Sequence, residues 1–260
     1  MYESLKYFCT FIGYTRSGHS IVGSILDAHP HAIIAHEMDV FSKEEDATKG
    51  KLLYKHKEEL FEAIMHRSQH QAAAGRLGGR IHQDGSIYTV SYEVPDQFHG
   101  TFTELKVIGN KRGQVTCKAL KGNPNAISDL AEMTGLPVKT IHVIRNPYDN
   151  IATMTAVHKD RSVVRYFTKA EIVRNAKERG IDILDVYLEE LIRNPRQEIR
   201  RMCQYLDLEP TEDYLTSSAA ILFKKPNKTR FDRPWAPAEL RLIKKRMSEF
   251  PWLRRYRFLW

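Results

Sequence analysis

The sequence predicts an α/β fold in which one domain is built on a P-loop-type central parallel β-sheet flanked by helices. The first observation is an apolar run from Tyr7 that leads into a glycine-bounded turn, after which apolar residues follow the spacing of one helix face. The second is that similar short apolar runs recur along the chain and alternate with helical patterns, as in parallel sheets. The third is size: 260 residues, 42% of them hydrophobic and 28% charged, are enough for one large core.

The turn after the first predicted strand has the glycine spacing of a phosphate-binding loop. Gly13 and Gly18 match Gly-x-x-x-x-Gly-Lys-Ser/Thr, but His19 stands where the motif has lysine. The N–H groups of a helix N-terminus attract anions, and Arg16 adds a planar guanidinium suited to an oxyanion. We therefore expect a phosphate-like ligand other than Mg-ATP; the alternative is a glycine-containing turn that binds nothing.

Two further predicted strands end in residues that are able to do chemistry. The run at 32–35 is followed by His36 and Glu37, and the run from Leu105 is followed by Lys111 and Arg112. The carboxyl ends of parallel strands form the ligand crevice of an open α/β sheet, so these side chains are expected there. The alternatives are an acidic surface loop and a solvated basic turn.

A fourth predicted strand, 140–144, is followed by Arg145 and a helix start. Asn146 is a favourable N-cap, Pro147 suits the first helical position, and Asp149 completes a predicted capping box. Thr153 lies eight residues after Arg145, so both side chains can share an anion that lies along the helix. The alternative is a structural Arg145 that pairs with Asp149.

The other segments carry weaker signals. We predict a helix over 52–66, strands over 87–94 and 183–187, and helices over 195–206 and 237–249. Between the last two helices, a basic segment interrupted by prolines is predicted to be a loop that can close over a phosphate.

Composition narrows the function and the compartment. A net charge of +8 and a pI near 9.3 favour an anionic ligand. The three cysteines are far apart and are expected to be reduced, and no histidine pair shows a metal-binding pattern with an acidic partner. Without a signal peptide or a long apolar window, the protein is expected to be cytoplasmic, with no membrane, metal or nucleic-acid partner.

Three stretches together resemble the sulfotransferases that use 3′-phosphoadenosine 5′-phosphosulfate (PAPS). They are Gly-Tyr-Thr-Arg-Ser-Gly-His-Ser at 13–20, Arg-Asn-Pro-Tyr-Asp at 145–149 with Thr153, and Glu-Glu-Leu-Ile-Arg-Asn-Pro at 189–195. The resemblance covers the chain from 1 to 260 except a variable segment of about 38–105, which would bind the acceptor. His19 replaces the usual threonine of the family, and Leu188 stands where many members have tyrosine.

The resemblance implies a role for each matched residue. The first loop would hold the 5′-phosphosulfate through Arg16, Ser17, Gly18, His19 and Ser20. Arg145 and Thr153 would hold the 3′-phosphate, together with Lys225, Lys228 and Arg230 of the basic loop.

The motifs are most similar to those of the tyrosylprotein and carbohydrate sulfotransferases. That branch uses a glutamate as base and a lysine that assists transfer, which implies Glu37 and Lys111 as catalytic residues beside Arg16, with His36 as the reserve base. The implied reaction moves a sulfuryl group in line to a hydroxyl, or less readily an amine, of a small-molecule acceptor.

Two other classes of function stay open at this point. A P-loop nucleotide or small-molecule kinase would use the same first loop with Mg²⁺, but it would need the lysine that His19 replaces. A basic protein that binds nucleic acid is the other class, although no helix-turn-helix, zinc or base-stacking motif supports it. The sequence leaves the oligomeric state open.

Overall fold

The computed structural model describes residues 2–42, 50–81, 86–158 and 162–259, and it contains a sheet of parallel strands and a separate hairpin. The strands in chain order are β1 Tyr7–Ile12, β2 Ala32–Ala35, β3 Leu77–Ile81, β4 Ile87–Ser91, β5 Val107–Asn110, β6 Val138–Ile144 and β7 Ile183–Tyr187. Five of them form one sheet in the order β2-β5-β1-β6-β7, and β3 pairs with β4 in an antiparallel hairpin.

The central sheet is parallel throughout. Strand β1 lies in the middle, with Cys9 beside Gly109 of β5 and beside Lys139 of β6. Because all five strands run in the same direction, the segments that follow β1, β2, β5 and β6 emerge at one edge of the sheet. The predicted fold class is therefore confirmed, and the predicted site residues that follow these strands share one edge.

Helices cover both faces of the sheet. They are α1 His19–Asp27, α2 Lys57–Ala73, α3 Gly113–Gly122, α4 Ala126–Thr134, α5 Pro147–His158, α6 Ser162–Glu178, α7 Leu188–Arg193, α8 Pro195–Tyr205, α9 Glu212–Ala220 and α10 Pro237–Ser248. Successive β1 side chains point to opposite faces, so Phe8 and Ile12 belong to one buried cluster and Cys9 and Phe11 to the other. Helices α3 to α6 and α10 pack in the first cluster, and α1, α8 and α9 in the second.

The variable segment forms helix α2 and the β3–β4 hairpin. The bounds predicted for the helix and for the strand in this segment were wrong. The helix predicted over 52–66 begins five residues later, because His56 has extended backbone, and it continues to Ala73. It ends before Gly75, whose φ of 70° is a left-handed conformation that stops a helix. The strand predicted over 87–94 ends at Ser91. Residues 43–49 and 82–85 of this segment lie outside the described residues.

The basic segment after α9 is mainly a loop, as predicted, with one short 3₁₀ turn at Thr229–Phe231. In the described part of the chain, no helix combines the length and the apolar character needed to cross a membrane. Nor do those residues contain a group of three or more His, Cys, Asp or Glu side chains arranged to hold a metal ion.

Candidate active site

The first loop, residues 13–18, takes a shape that depends on its two glycines. Gly13 and Gly18 have φ values of 117° and 108°, a region that residues with a Cβ rarely enter. A Cβ at Gly13 would lie 2.8 Å from the His142 ring, and one at Gly18 would lie 3.0 Å from Leu188. Helix α1 follows, and its N-cap Gly18 supplies no side-chain hydrogen bond. The first N–H groups of α1 therefore remain available for an anion.

The body of the molecule holds this loop in place. Asn150 on α5 donates to the Thr15 carbonyl oxygen over 2.7 Å, and the Gly13 N–H donates to Cys117 Sγ over 3.3 Å. Tyr14 is fully buried, stacks on Tyr166 at a centroid distance of 4.0 Å and accepts a hydrogen bond from Trp252. The loop is thus anchored from beneath, so its orientation is preset before a ligand binds.

Arg16 extends from the loop towards the hairpin of the variable segment. Its backbone is left-handed, with φ of 66°, and its guanidinium donates to the Gly79 carbonyl oxygen over 3.3 Å. A non-glycine residue with positive φ is uncommon, and such strained positions cluster at active sites and ligand-binding loops. Arg16 therefore connects the predicted donor loop to the segment predicted to bind the acceptor.

His19 cannot replace the missing lysine as a cation. Burial, and next the charge of Lys111, lower the pKa of His19 to about 3, so the imidazole is neutral at pH 7. Its Nε2 atom is buried and has no hydrogen-bond partner among the described residues. Position 19 therefore carries a neutral ring where the nucleotide-binding motif has a cationic lysine. Without that positive charge, the first loop does not suit a triphosphate bound with Mg²⁺.

Glu37, Lys111 and Ser20 form the centre of the site. Lys111 Nζ donates to Ser20 Oγ over 3.0 Å and forms an ion pair with Glu37 Oε1. Arg112 Nε lies 3.2 Å from the other carboxylate oxygen of Glu37. Lys111 packs so closely against α1 that a Cβ at Gly23 would lie 2.8 Å from its Cβ. The lysine therefore joins the predicted base to the predicted donor loop.

The charges in this cluster set its protonation. Burial acts to raise the pKa of Glu37, but Lys111, His36 and Arg112 outweigh it and lower that pKa to about 2. Burial lowers the pKa of Lys111, while Glu37 acts in the opposite direction. The Glu37 carboxylate is therefore ionised at neutral pH, and it lies against the buried Lys111 side chain.

His36 and Glu37 follow β2 but differ in access. The His36 side chain is only 4% exposed, whereas that of Glu37 is 45% exposed. Burial, followed by Lys111, lowers the pKa of His36 to about 3, and its Nδ1 has no hydrogen-bond partner in the described part of the chain. Glu37 also has a left-handed backbone, with φ of 51°, which indicates a constrained position. Of the two predicted bases, Glu37 is the one that a ligand can reach.

Arg145 lies at the same edge and forms a second cationic cluster with Thr153. Its guanidinium donates to Thr153 Oγ1 over 3.1 Å, to Thr229 Oγ1 over 3.0 Å and to the Asn227 carbonyl oxygen over 2.9 Å. The predicted proximity of Arg145 and Thr153 is confirmed. Thr229 was missed by the sequence analysis, because its contact spans 84 residues and no local pattern marks it.

The capping box predicted at the start of α5 is wrong. Asn146 does cap the helix, since its Oδ1 accepts from the Tyr148 N–H over 3.1 Å. The Asp149 carboxylate, however, accepts the Arg230 N–H over 2.8 Å and forms an ion pair with the Arg230 guanidinium. The Asn146 N–H, which Asp149 was expected to bind, donates instead to Glu189 over 2.7 Å. Arg230, which is distant in the sequence, thus binds the Asp149 carboxylate in place of the neighbouring Asn146 N–H.

The same contact gives the basic loop its position. Arg230 is 2% exposed and contacts Asp149, whereas Lys225 and Lys228 lie on the surface. The ion pair of Arg230 and the hydroxyl of Thr229 hold the loop against α5, next to Arg145. Lys225 and Lys228 are therefore the predicted loop cations that a ligand can reach from solvent.

A buried ionic cluster beneath the site was also missed. Asp27 at the end of α1 accepts hydrogen bonds from Arg76 over 2.8 Å, Ser68 over 2.7 Å and the Ile34 N–H over 2.6 Å. His99 lies 3.3 Å from the same carboxylate, and Asp27 and Arg76 are both fully buried. The positive charge of Arg76 contributes to the lowered pKa values of His36 and Lys111.

One edge of the sheet therefore carries two cationic clusters that are able to bind anions and an accessible carboxylate. The first loop with Lys111 forms one cluster, Arg145 with Thr153 and Thr229 forms the other, and Glu37 lies against Lys111. This fold and site define an α/β protein suited to a ligand with two separate phosphate-like groups.

Comparison with known proteins identifies the family. Residues 10–213 match the model of the sulfotransferase family, so the chain belongs to that family of transferases. No curated protein sequence matches closely enough to count as a relative.

Solved structures show the same fold at low sequence identity. The sulfotransferase domain of the Synechococcus PCC 7002 olefin synthase is 14% identical, with a TM-score of 0.52 over 95% of this chain and 94% of that one. A sulfotransferase from Alicyclobacillus acidocaldarius is 13% identical, with a TM-score of 0.50 over 97% and 96% of the two chains. Sulfotransferase STF9 from Mycobacterium avium is 11% identical, with a TM-score of 0.50 over 97% and 78%.

Proposed function

We propose that this protein transfers a sulfuryl group from PAPS to a hydroxyl, or less readily an amine, of a small-molecule acceptor. The observation that carries the proposal is the position of Lys111, whose ammonium group contacts both Ser20, in the first turn of α1 after the first loop, and Glu37. In this proposal, one cation would act between a residue that holds the donor and the residue that receives the acceptor proton.

The two cationic clusters match the two phosphate positions of the donor. Residues 16–20, at the end of the first loop and the start of α1, would hold the 5′-phosphosulfate through N–H groups of α1, the guanidinium of Arg16 and the neutral ring of His19. Arg145 and Thr153 would hold the 3′-phosphate, with Lys225 and Lys228 approaching from the basic loop. Arg230 would act with them by fixing that loop through its contact with Asp149.

In the proposed reaction the acceptor oxygen attacks sulfur as the bond from sulfur to the 5′-phosphate oxygen breaks. The electron pair of that bond stays on the 5′-phosphate, whose added negative charge Lys111 and Arg16 stabilise. The acceptor proton passes to Glu37, so the products are the sulfated acceptor and adenosine 3′,5′-bisphosphate. These groups supply the positive charge that the step needs, and the proposal includes no metal.

In this proposal, Glu37 becomes a better base when the donor binds. With a pKa of about 2 its carboxylate has little affinity for a proton, and Lys111 is the leading cause of that low value. When Lys111 turns towards the donor, its hold on Glu37 weakens, and burial then raises the pKa of the carboxyl. Donor binding would thus activate the base. His36 remains the reserve base, because its neutral ring has an unpartnered Nδ1 among the described residues.

Ligand-dependent thermal stability tests this proposal. We would compare adenosine 3′,5′-bisphosphate with AMP and with ATP plus Mg²⁺. A ligand at about 100 times its Kd adds roughly 2.7 kcal/mol to the free energy of unfolding. For a chain of this size that corresponds to a rise in Tm of about 2 to 4 °C per kcal/mol.

Each outcome of this comparison has a definite meaning. A rise with the bisphosphate that AMP does not reproduce supports a donor site with a 3′-phosphate pocket. A rise with Mg-ATP alone would replace the proposal with a P-loop kinase, and no rise with any nucleotide would remove the donor site altogether.

A further inference from the structure

A cavity of about 370 Å³ lies between helices α3 and α6, and it shares only Thr15 and Cys117 with the residues described above. Two helical stripes line it: positions 114, 117, 118 and 121 of α3, and positions 165, 168, 169 and 172 of α6. Both sets follow the i, i+3, i+4, i+7 spacing of a single helix face. The cavity is thus a groove between two facing helix surfaces.

The groove is strongly cationic. Lys118 and Lys121 project from α3, and Arg165 and Lys169 from α6. Among the residues that the structure describes, no Asp or Glu lines this space, and none of the four cations has an ion-pair partner there. Like charges that converge without a counter-ion repel one another, so the arrangement favours an anion that would bind between them.

Lys169 shows that these charges act on each other. Burial is the main cause of the lowered pKa of this ammonium group, and Arg165 and Lys118 lower it further. Lys118 and Lys169 are half-buried, whereas Lys121 and Arg165 are exposed. An anion in the groove would therefore meet two cations within the cavity and two at its mouth.

The remaining lining is mostly apolar in area, although Thr15, Gln114 and Thr168 add polar groups. Met154 of α5 and Cys117 are buried, and Ile172 and Val164 belong to α6. Thr15 of the first loop also lines the groove, so the groove borders the proposed donor site. A ligand with an apolar body and an acidic group would satisfy both parts of the lining.

We propose that the α3–α6 groove is a second ligand site, which binds an acidic small molecule with an apolar body beside the donor site. The acidic group can be a phosphate, a sulfate or a carboxylate, because Lys and Arg bind all three as oxyanions. This site does not require the proposed sulfuryl transfer, and its test is separable from the test of that function.

Isothermal titration of the full chain with phenyl phosphate, phenyl sulfate and phenylacetate tests the site. Adenosine 3′,5′-bisphosphate is present at saturation to occupy the proposed donor site, and benzyl alcohol serves as the neutral probe of similar shape. We expect at least one acidic probe to bind, and its affinity to fall as salt is raised. Benzyl alcohol is expected to bind at least about tenfold more weakly.

A pair of charge-matched double variants locates the binding. Lys118→Gln with Arg165→Gln removes two groove cations, while Lys244→Gln with Lys245→Gln removes two cations from the exposed side of α10. The first pair should weaken binding of the acidic probe by at least about tenfold, because each cation supplies a charged hydrogen bond. The second pair should leave that binding unchanged, and neither pair should alter the affinity for the bisphosphate.

Three results would overturn the proposal. They are no binding of any acidic probe to the unaltered protein, equal binding to both double variants, and a matching loss of bisphosphate affinity in the groove variant. The last would mean that the groove belongs to the donor site. If the bisphosphate itself fails to bind, the proposed function fails, and the same titrations without it still compare the two variants.

Discussion

Replacing Arg145 with glutamine tests the 3′-phosphate site, because the perturbation can be read with two ligands that differ only in that phosphate. Adenosine 3′,5′-bisphosphate carries the 3′-phosphate and AMP lacks it. The Arg145 side chain is buried and presents its guanidinium towards Thr153 and Thr229. Its interaction with a phosphate would take place largely out of water.

The expected magnitude follows from the hydrogen bonds that the guanidinium can offer. A hydrogen bond to a charged group contributes about 1.5 to 3 kcal/mol, and a two-pronged contact with phosphate about twice that. Arg145→Gln should therefore weaken bisphosphate binding by about 10² to 10⁴-fold. AMP affinity should change by less than about threefold, since its contacts lie in the first loop.

The assay is titration calorimetry of both nucleotides on both proteins. For each protein the Kd of AMP is divided by the Kd of the bisphosphate, and the value for the unaltered protein is then divided by the value for the variant. This ratio cancels any fraction of the variant that is unfolded, which matters because the lost bonds of Arg145 are buried. Thr153→Ala is the milder companion variant and should reduce bisphosphate affinity by about tenfold through one lost hydroxyl contact. Equal losses for the bisphosphate and AMP, or no loss for either, would refute the assignment of Arg145 to the 3′-phosphate.

Three further predictions concern catalysis and stability. Glu37→Gln should lower the sulfuryl transfer rate by about 10² or more while leaving bisphosphate affinity within about threefold; a rate near that of the unaltered enzyme would remove Glu37 from the mechanism. Gly23→Ala should lower kcat and also reduce the unfolding free energy by about 1 to 3 kcal/mol, because the added methyl group would lie 2.8 Å from Lys111 Cβ, which is fixed to the backbone, so α1 and the segment after β5 must move apart; an unchanged kcat in a folded variant would contradict this. Asp27→Asn should reduce the unfolding free energy by about 3 to 5 kcal/mol in urea titrations, since the buried Arg76 loses its counter-ion; a loss below about 1 kcal/mol would show that the pair is not needed. Interactions with Arg76 and His99 outweigh burial and lower the pKa of Asp27 in the folded protein. The contribution of the ionised Asp27 to the free energy of unfolding is therefore fully present above the ordinary aspartate pKa, and it is lost as pH falls through the lower folded value.

The sequence predicted the structure correctly where neighbouring residues determine the backbone conformation. The apolar run of β1 and the two glycines that follow it predicted the strand, the turn and helix α1, because side-chain alternation and positive φ leave few other structures. The residues after β2, β5 and β6 were predicted to meet because parallel strands deliver their carboxyl ends to one edge. Their catalytic roles, the acceptor and the cytoplasmic location stay predictions.

Local pattern failed where a distant residue competed for the same group. The capping box at Asp149 has the right spacing, yet Arg230 supplies a full positive charge where the Asn146 N–H offers only a dipole. A charge-assisted hydrogen bond is about twice as strong as a neutral one, so the distant partner prevails.

The sequence by itself determined the five strands of the central sheet, the phosphate-type loop and the chemical groups after β1, β2, β5 and β6. Only the tertiary structure decided which of those groups pair: Lys111 with Glu37 and Ser20, Arg145 with Thr229, Asp27 with Arg76. Local patterns act through backbone geometry over a few residues, whereas charge pairing depends on distance in space and on burial. Both of these exist only once the fold has brought distant segments together, such as Ser20 and Lys111, which are 91 residues apart in the sequence.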